Sequence, residues 1–344
     1  MDWSLILENG IKALIGADAV VFALAAIGLN VHYGYAGLVN FGQAAFVAVG
    51  AYGLGMGMVT FGWSMWFALF IGIVAAVVLA LILGLPTLRL RADYLAIVTI
   101  AASEIVRLAL RAKTFEEWTG GADGRNSFAG RFRELNPLPS DGTGFGIIHL
   151  GEHNRYGIGI FTFNANGTWL LIVGWGLVIL SSLMVWILMR SPWGRVLKGI
   201  REDEDAVRSL GKNVNWYKMQ ALILGGVIGA LGGFVYALAR DSVKPDNYST
   251  LLTFFAYTAL ILGGLARVKG PIIGAMIFWS LLSFTDVILR QAIRAGHISS
   301  DVLSGTQVGV TRFILVGVGL MALLIFRPQG IFGDKNEVAI GERH

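Results

Sequence analysis

The 344-residue sequence contains no cysteine. Disulfides, thiolate nucleophiles and cysteine-ligated zinc are therefore excluded, while the compartment stays open. Charge is scarce as well: Asp, Glu, Lys and Arg make up 14% of the chain, against roughly 25% in a soluble domain. Only 7 prolines accompany 46 glycines, with no three-residue period, which rules out a collagen-like rod. Hydrophobic residues reach 55% and mean hydropathy is +0.67, so a disordered chain is excluded too. What remains is an all-α polytopic membrane protein, read as one transmembrane domain over 1–344. The net charge of +5 does not point to nucleic acid, because the basic residues lie scattered between apolar stretches. In a membrane protein such charge reports orientation. Asp2 and Glu8 precede the first cation, unlike the basic n-region of a signal peptide, so the first span is expected to be permanent.

A helix needs about 20 mainly apolar residues to cross the hydrocarbon. Windows of that kind fall at 11–31, 38–60, 64–85, 94–110, 168–189, 219–239, 251–267, 271–289 and 308–326. The expectation is about nine transmembrane helices, within a range of eight to ten. Span 94–110 is short, and 38–60 and 251–267 are rich in glycine and small polar residues, so these three are candidates for broken or re-entrant helices. Segment 190–218 holds Arg190, Arg195, Lys198, Arg201, Arg208, Lys212 and Lys218 and is expected to be cytoplasmic. Alternation then places Arg89, Arg91, Arg267, Lys269 and the tail 327–344 inside. The N-terminus, the extracytoplasmic region 111–167, and loops 240–250 and 290–307 fall outside. The string ALILGG occurs at 221–226 and 259–264, with ALILG at 80–84; a true repeat and chance account for it equally well.

Segment 191–218 is the most informative. Val196, Leu197, Ile200, Val207, Leu210 and Val214 share one face at helical spacing. Glu202, Asp203, Glu204 and Asp205 cluster between Arg201 and Arg208, and Gly211 and Asn213 suit helix stops. The pattern reads as one or two short amphipathic helices under the membrane, apolar toward the bundle and polar toward a soluble partner. Asn40 and Gln43 place amides at membrane depth, where they must face protein or a wet path. Gly225, Gly229 and Gly233 form a small-residue packing face. Glu104 and Arg107 pair at i, i+3, either as a structural ion pair or on a pathway. Asp286 is a candidate ion group, or sits near a water-facing end with Arg290 one turn later. His149, Glu152 and His153 match the H-x-x-E-H zinc pattern, but the surrounding glycines argue against the helix it requires. LSGTQ at 303–307 resembles an ATPase signature peptide, yet no G-x-x-x-x-G-K-[ST] exists to cradle a phosphate. No metal site and no set of nucleophile, base and orienter stands out, so the chain is not expected to be an enzyme.

Several blocks, in order, resemble the M-type permease of branched-chain amino-acid ABC importers. They are Tyr-Gly-Tyr-Ala-Gly-Leu at 33–38 with Phe-Gly-Gln-Ala-Ala-Phe at 41–46, Leu-Arg-Ala-Asp-Tyr-Leu-Ala-Ile-Val-Thr at 90–99 with Glu-Ile-Val-Arg at 104–107, and Thr-Gly-Gly-Ala-Asp-Gly at 119–124. Gly194 and Arg195, Ile200 to Glu204, and Leu210 with Gly211 follow. Ile-Leu-Gly-Gly-Leu at 261–265 with Gly270 and Pro271, and Phe-Arg-Pro-Gln-Gly at 326–330, complete the order. The resemblance implies a type II ABC importer-like permease in a bacterial inner membrane; the charge distribution puts its N-terminus outside and its C-terminus in the cytoplasm. The resemblance also implies a second homologous permease, two cytoplasmic ATPases that carry the ATP and Mg, and an extracytoplasmic substrate-binding protein; this chain itself would hold no cofactor. Residues implied in ATPase coupling are Gly194, Arg195, Ile200, Arg201, Glu202, Asp203, Glu204, Ala206, Leu210 and Gly211. Asn40, Gln43, Tyr94, Thr99 and Glu104 are pathway candidates, and Thr119, Gly120, Gly121 and Asp123 would receive the binding protein. Ala92, where the family commonly has glycine, and the charges of Arg267 and Lys269 depart from the pattern. They leave the cargo open among branched-chain or other neutral amino acids, urea and short amides. The rival readings are an ion-coupled secondary transporter using Asp286 and Glu104, and a passive channel.

Overall fold

The structure is a computed structural model that describes residues 2–88, 92–138, 155–158, 161–295, 307–327 and 329–333. Asp2 caps the first helix, α1 (Trp3–Ile15), accepting from the amides of Ser4 and Leu5. Gly16 ends it in an extended conformation and α2 (Ala17–Leu29) begins at once, continuing into a π-helical turn, Asn30–Tyr35. The single span expected at 11–31 is therefore corrected to an apolar segment of 33 residues, Trp3–Tyr35, divided at Gly16. No proline marks that division, and Gly16 there has an extended backbone.

The chain then runs without helix to Gly42, and α3 (Gln43–Val59) starts inside the bundle. Of the window 38–60, where a broken or re-entrant helix is expected, 38–42 is non-helical and Gln43–Val59 is one continuous helix. After α4 (Met65–Thr87), the helix α5 (Ala92–Arg111) is continuous over 20 residues, which corrects the expectation of a short or broken element at 94–110. Two short helices, α6 (Glu116–Thr119) and α7 (Gly130–Glu134), and strands β1 (Arg125–Asn126), β2 (Arg155–Ile158) and β3 (Phe161–Asn164) lead to α8 (Ala165–Arg190). The amphipathic segment forms α9 (Pro192–Glu202) and α10 (Glu204–Ser209) before α11 (Val214–Arg240). Strand β4 (Ser242–Val243) pairs antiparallel with β1, and β2 pairs with β3. A 3-10 turn at Pro245–Tyr248 precedes α12 (Thr250–Gly263), α13 (Lys269–Arg294) and α14 (Val308–Phe326).

Among the described residues five segments are long and apolar enough to cross a membrane: Trp3–Tyr35, Met65–Thr87, Ala165–Arg190, Val214–Arg240 and Lys269–Arg294. Gln43–Val59, Thr250–Gly263 and Val308–Leu323 are shorter apolar helices. Helix α11 is the hub, packed on α2, α3 and α4. Its glycine face does what its spacing suggested: a Cβ on Gly225 would sit 2.4 Å from the Gly28 carbonyl oxygen, and one on Gly233 would sit 2.0 Å from that of Val47. Backbones approach this closely only where side chains are absent.

The connections gather at two opposite ends. At one, Asp241 accepts from the Ala129 amide at 2.7 Å and pairs with Arg133, and Thr60 donates to the Trp118 carbonyl. At the other lie α9, α10, the turn after α12 and residues 329–333, whose Ile331 and Phe332 amides bond the Leu262 and Gly263 carbonyls. The two copies of ALILGG do not share a local structure. The first is interior to α11, whereas the second ends α12 with Gly264 at φ +112°.

Candidate functional site

The site begins where α2 fails to continue into α3. A π-turn followed by non-helical backbone leaves the first amides of α3 without intrahelical partners, and three side chains from three segments accept from this stretch. Asn40 Oδ1 takes the Gly42 amide at 2.8 Å, Thr99 Oγ1 of α5 takes the Phe41 amide at 3.0 Å, and Thr253 Oγ1 of α12 takes the Ala44 amide at 2.9 Å. The Tyr257 hydroxyl donates to the Asn40 carbonyl at 2.9 Å. Below it, His32 Nε2 lies 3.0 Å from the Leu222 carbonyl oxygen and Nδ1 lies 3.0 Å from Asn40 Nδ2. A carbonyl can only accept, so the proton sits on Nε2 and Nδ1 accepts from the amide. Gln43 donates to the carbonyls of Gly225 and Ala25. Gly225 and Gly229 make the room, since a Cβ on either would lie 2.3 Å from the His32 or the Gln43 nitrogen.

Of the pathway candidates, Asn40, Gln43 and Thr99 are brought together here and buried. Tyr94 is not; it is 61% exposed on the outer face of α5. Glu104 stands apart in a chain of charges. Arg107 donates to it at 2.6 Å and also reaches Asp246 at 2.8 Å, which Arg111 shares. Thr250 donates to the other Glu104 oxygen at 3.3 Å. Asp286 is paired with Arg290 and Arg312. His32, Thr253 and Tyr257 were not singled out from sequence, although Thr253 and Tyr257 stand at i, i+4 in the small-polar stretch 251–267.

The amphipathic segment is anchored on one side. Pro192 starts α9 at a position where its missing N–H costs nothing. Gly194 lies so close to the end of α8 that a Cβ would sit 2.5 Å from Met189 Cα, and Leu197, Ile200 and Val214 are buried. Trp193 Nε1 donates to Gln220 Oε1 at 2.7 Å, and Lys218 bonds Glu204, so α9 and α10 are both tied to α11. Arg201 Nη1 donates to the Gly34 carbonyl at 2.5 Å. Asp203 breaks α9 from α10 and caps the latter through the Ala206 amide. The other side is open: Arg195, Glu202, Ala206, Leu210 and Gly211 are exposed, Leu210 by 78%. Leu210 therefore leaves the apolar stripe its spacing placed it on. Asn213, expected as a helix stop, is the N-cap of α11.

At the opposite end, Gly120, Gly121 and Gly124 all take positive φ. A Cβ on Gly124 would lie 1.8 Å from the Val243 carbonyl oxygen, so only glycine allows the β1–β4 pairing at that angle. Thr119 is buried and accepts the Gly121 amide, while Asp123 is exposed. The signature is thus mostly turn chemistry, with Asp123 the group left facing outward. Among the described residues no cluster of three His, Asp or Glu could hold a metal. The zinc lookalike at 149–153 lies outside the described residues, as do residues 303–306 of LSGTQ.

The family profile described as "Branched-chain amino acid transport system / permease component" matches residues 13–322. The chain belongs to that family. It is 30% identical to the high-affinity branched-chain amino acid transport system permease protein LivM of Escherichia coli K12, over 99% of this chain and 76% of that protein. The probable branched-chain amino acid transport permease protein LivM of Methanocaldococcus jannaschii is 24% identical over 92% of this chain and 91% of that one. A solved structure, "PsaBC from Streptococcus pneumoniae in complex with Fab", aligns over 91% of this chain and 90% of that chain at 14% identity, with a TM-score of 0.38. This permease is thus an ABC-transporter membrane component whose relatives are transport proteins and not enzymes.

Proposed function

We propose that this permease is the membrane subunit of an ATP-driven importer for branched-chain or other neutral amino acids, working by alternating access. Two ATPases on the cytoplasmic side would dock on α9 and α10, a second related permease would complete the pathway, and an outer binding protein would meet the loop at Asp123. The charge asymmetry around 190–218 is what supports a cytoplasmic location for that segment. The observation that carries the reading is the two-sidedness of α9–α10. One side is bolted to α8 and α11 through Gly194, Trp193–Gln220 and Glu204–Lys218, and the other presents Glu202, Asp205 and Leu210 with no apolar cover. A lever needs both properties: stiffness toward what it moves and a free face for what moves it.

Choice of cargo is assigned to the binding protein, because the side chains bonded to the start of α3 among the described residues, Asn40, Thr99, Thr253 and Tyr257, are all neutral. An autoinducer 2 import system permease protein LsrC of Escherichia coli matches 36% of this chain at 30% identity. The test is exchange of the free face. Glu202→Arg and Leu210→Asp should each abolish co-purification with the ATPases while leaving the permease monodisperse. ATPases that stay bound in both variants would contradict the docking assignment. Cargo is read by which of leucine, valine, urea or acetamide stimulates ATP hydrolysis in the complex.

A further inference from the structure

The exposed face of α9–α10 explains where force would enter but not where it goes. The bonds to α11 make that helix one exit. Arg201 provides another, through a bond into the bundle. Its guanidinium reaches the carbonyl of Gly34 in the π-turn, while a Cβ on Gly37 would lie 3.4 Å from Arg201 Cα and Cγ. The last turn of α9 is therefore hydrogen-bonded to the π-turn and lies about a methyl group's width from Gly37 in the break. That segment in turn is bonded to α5, α11, α12 and the turn between α12 and α13. Asn30 accepts the Ala266 amide and donates to the Arg267 carbonyl, clamping the turn between α12 and α13. His32 joins Leu222 of α11 to Asn40, and Asn40, Phe41 and Ala44 take the groups from α12 and α5 described above.

Residues 30–44 are also irregular in backbone, with a π-turn, a non-helical stretch and a left-handed glycine. The π-turn is a widened helical turn, a form frequent at functional sites. Gly37 sits at φ +68°, where other residues are strained. Two of the three side chains that accept amides at the start of α3 come from other helices, Thr99 of α5 and Thr253 of α12, so a shift of either helix alters which amides are satisfied. A bidentate-capable, always-charged guanidinium is suited to gripping a backbone carbonyl through such a shift.

We propose that Arg201 is the positioning residue through which movement of the coupling helix α9 is delivered to the α2–α3 break, resetting the caps on α3. The inference rests on the importer reading above and adds a transmission route to it.

The experiment uses the complete importer, with partner permease, ATPases and binding protein, reconstituted in liposomes with leucine as the probe. Arg201→Met keeps the aliphatic stem and removes the donors, and Arg201→Lys restores a single charged donor. In Arg201→Met the ATPases should stay bound and ATP hydrolysis should continue, while leucine imported per ATP falls about tenfold or more, within the range of allosteric couplings. The change in amide exchange over 36–44 on adding a non-hydrolysable ATP analogue should vanish. Arg201→Lys should recover part of both. Unchanged leucine per ATP in Arg201→Met would overturn the inference, as would loss of the ATPases, which would make Arg201 a docking contact. Should Arg201→Met not assemble, Arg201→Lys decides alone: a lowered yield per ATP supports the route and a wild-type yield overturns it. ATP-dependent uptake indifferent to Arg201 removes only this inference, whereas wild-type uptake that ignores the ATPases removes the importer reading with it.

Discussion

The side-chain amide of Asn40 lies 3.0 Å from Nδ1 of His32, and the same residue's Oδ1 holds the Gly42 amide that opens α3. One buried side chain thus fixes the tautomer of a histidine and caps a helix start. Asn40→Leu removes both bonds and leaves His32 Nδ1 and the Gly42 amide buried without partners. Each such loss costs about 1–3 kcal/mol. The expected result is a clear fall in melting temperature in detergent, with Asn40→Asp also destabilising because it brings a second acceptor to Nδ1. An Asn40→Leu protein as stable as wild type would contradict the bonding described.

Glycine positions divide by what a methyl would meet. Gly229→Ala drives a Cβ to 2.3 Å from the Gln43 nitrogen, and overpacking of that kind costs about 1–3 kcal/mol. Gly176 in α8 has nothing within 4 Å, so Gly176→Ala should gain up to about 1 kcal/mol from helix propensity. Thermal melts of the two variants should move in opposite directions.

Asp203 and Glu202 are neighbours with different work. Asp203→Ala removes the N-cap of α10, worth about 1 kcal/mol, and should raise amide exchange in 204–209. Glu202→Ala should leave exchange there unchanged and weaken the ATPase interaction only. Equal effects of the two substitutions on exchange would show that Glu202 is structural.

Asp286 separates the importer from an ion-coupled transporter. It is satisfied by Arg290 and Arg312, which suits a structural pair. Asp286→Asn should lower stability and leave the ion independence of uptake intact. Uptake that requires a proton or sodium gradient and is lost in Asp286→Asn would favour ion coupling.

Much of this architecture was legible because hydropathy and periodicity are local. The windows 168–189, 219–239, 271–289 and 308–326 lie within helices that extend at most five residues beyond them, and 64–85 begins one residue before α4. The apolar stripe of Leu197 and Ile200 predicted α9, and the glycines and amides of 38–60 predicted its broken start. Tertiary features were not legible. Gly16 sits in an alanine-rich stretch with no stop signal beyond itself. Asn213 suits either a helix end or a helix start, and only the Trp216 amide decides. Leu210 follows the stripe in spacing but falls after the Asp203 break, which rotates it outward. His32, Thr253 and Tyr257 matter through partners about 190 to 220 positions away or on another helix, a relation no window can display.

The most direct test of the account is leucine accumulation in liposomes holding this permease with and without its ATPases, binding protein and internal ATP. The account predicts accumulation against the gradient only when all are present, unaffected by a protonophore. Accumulation by the permease without ATPases, or its collapse on adding the protonophore while ATP remains, would contradict it.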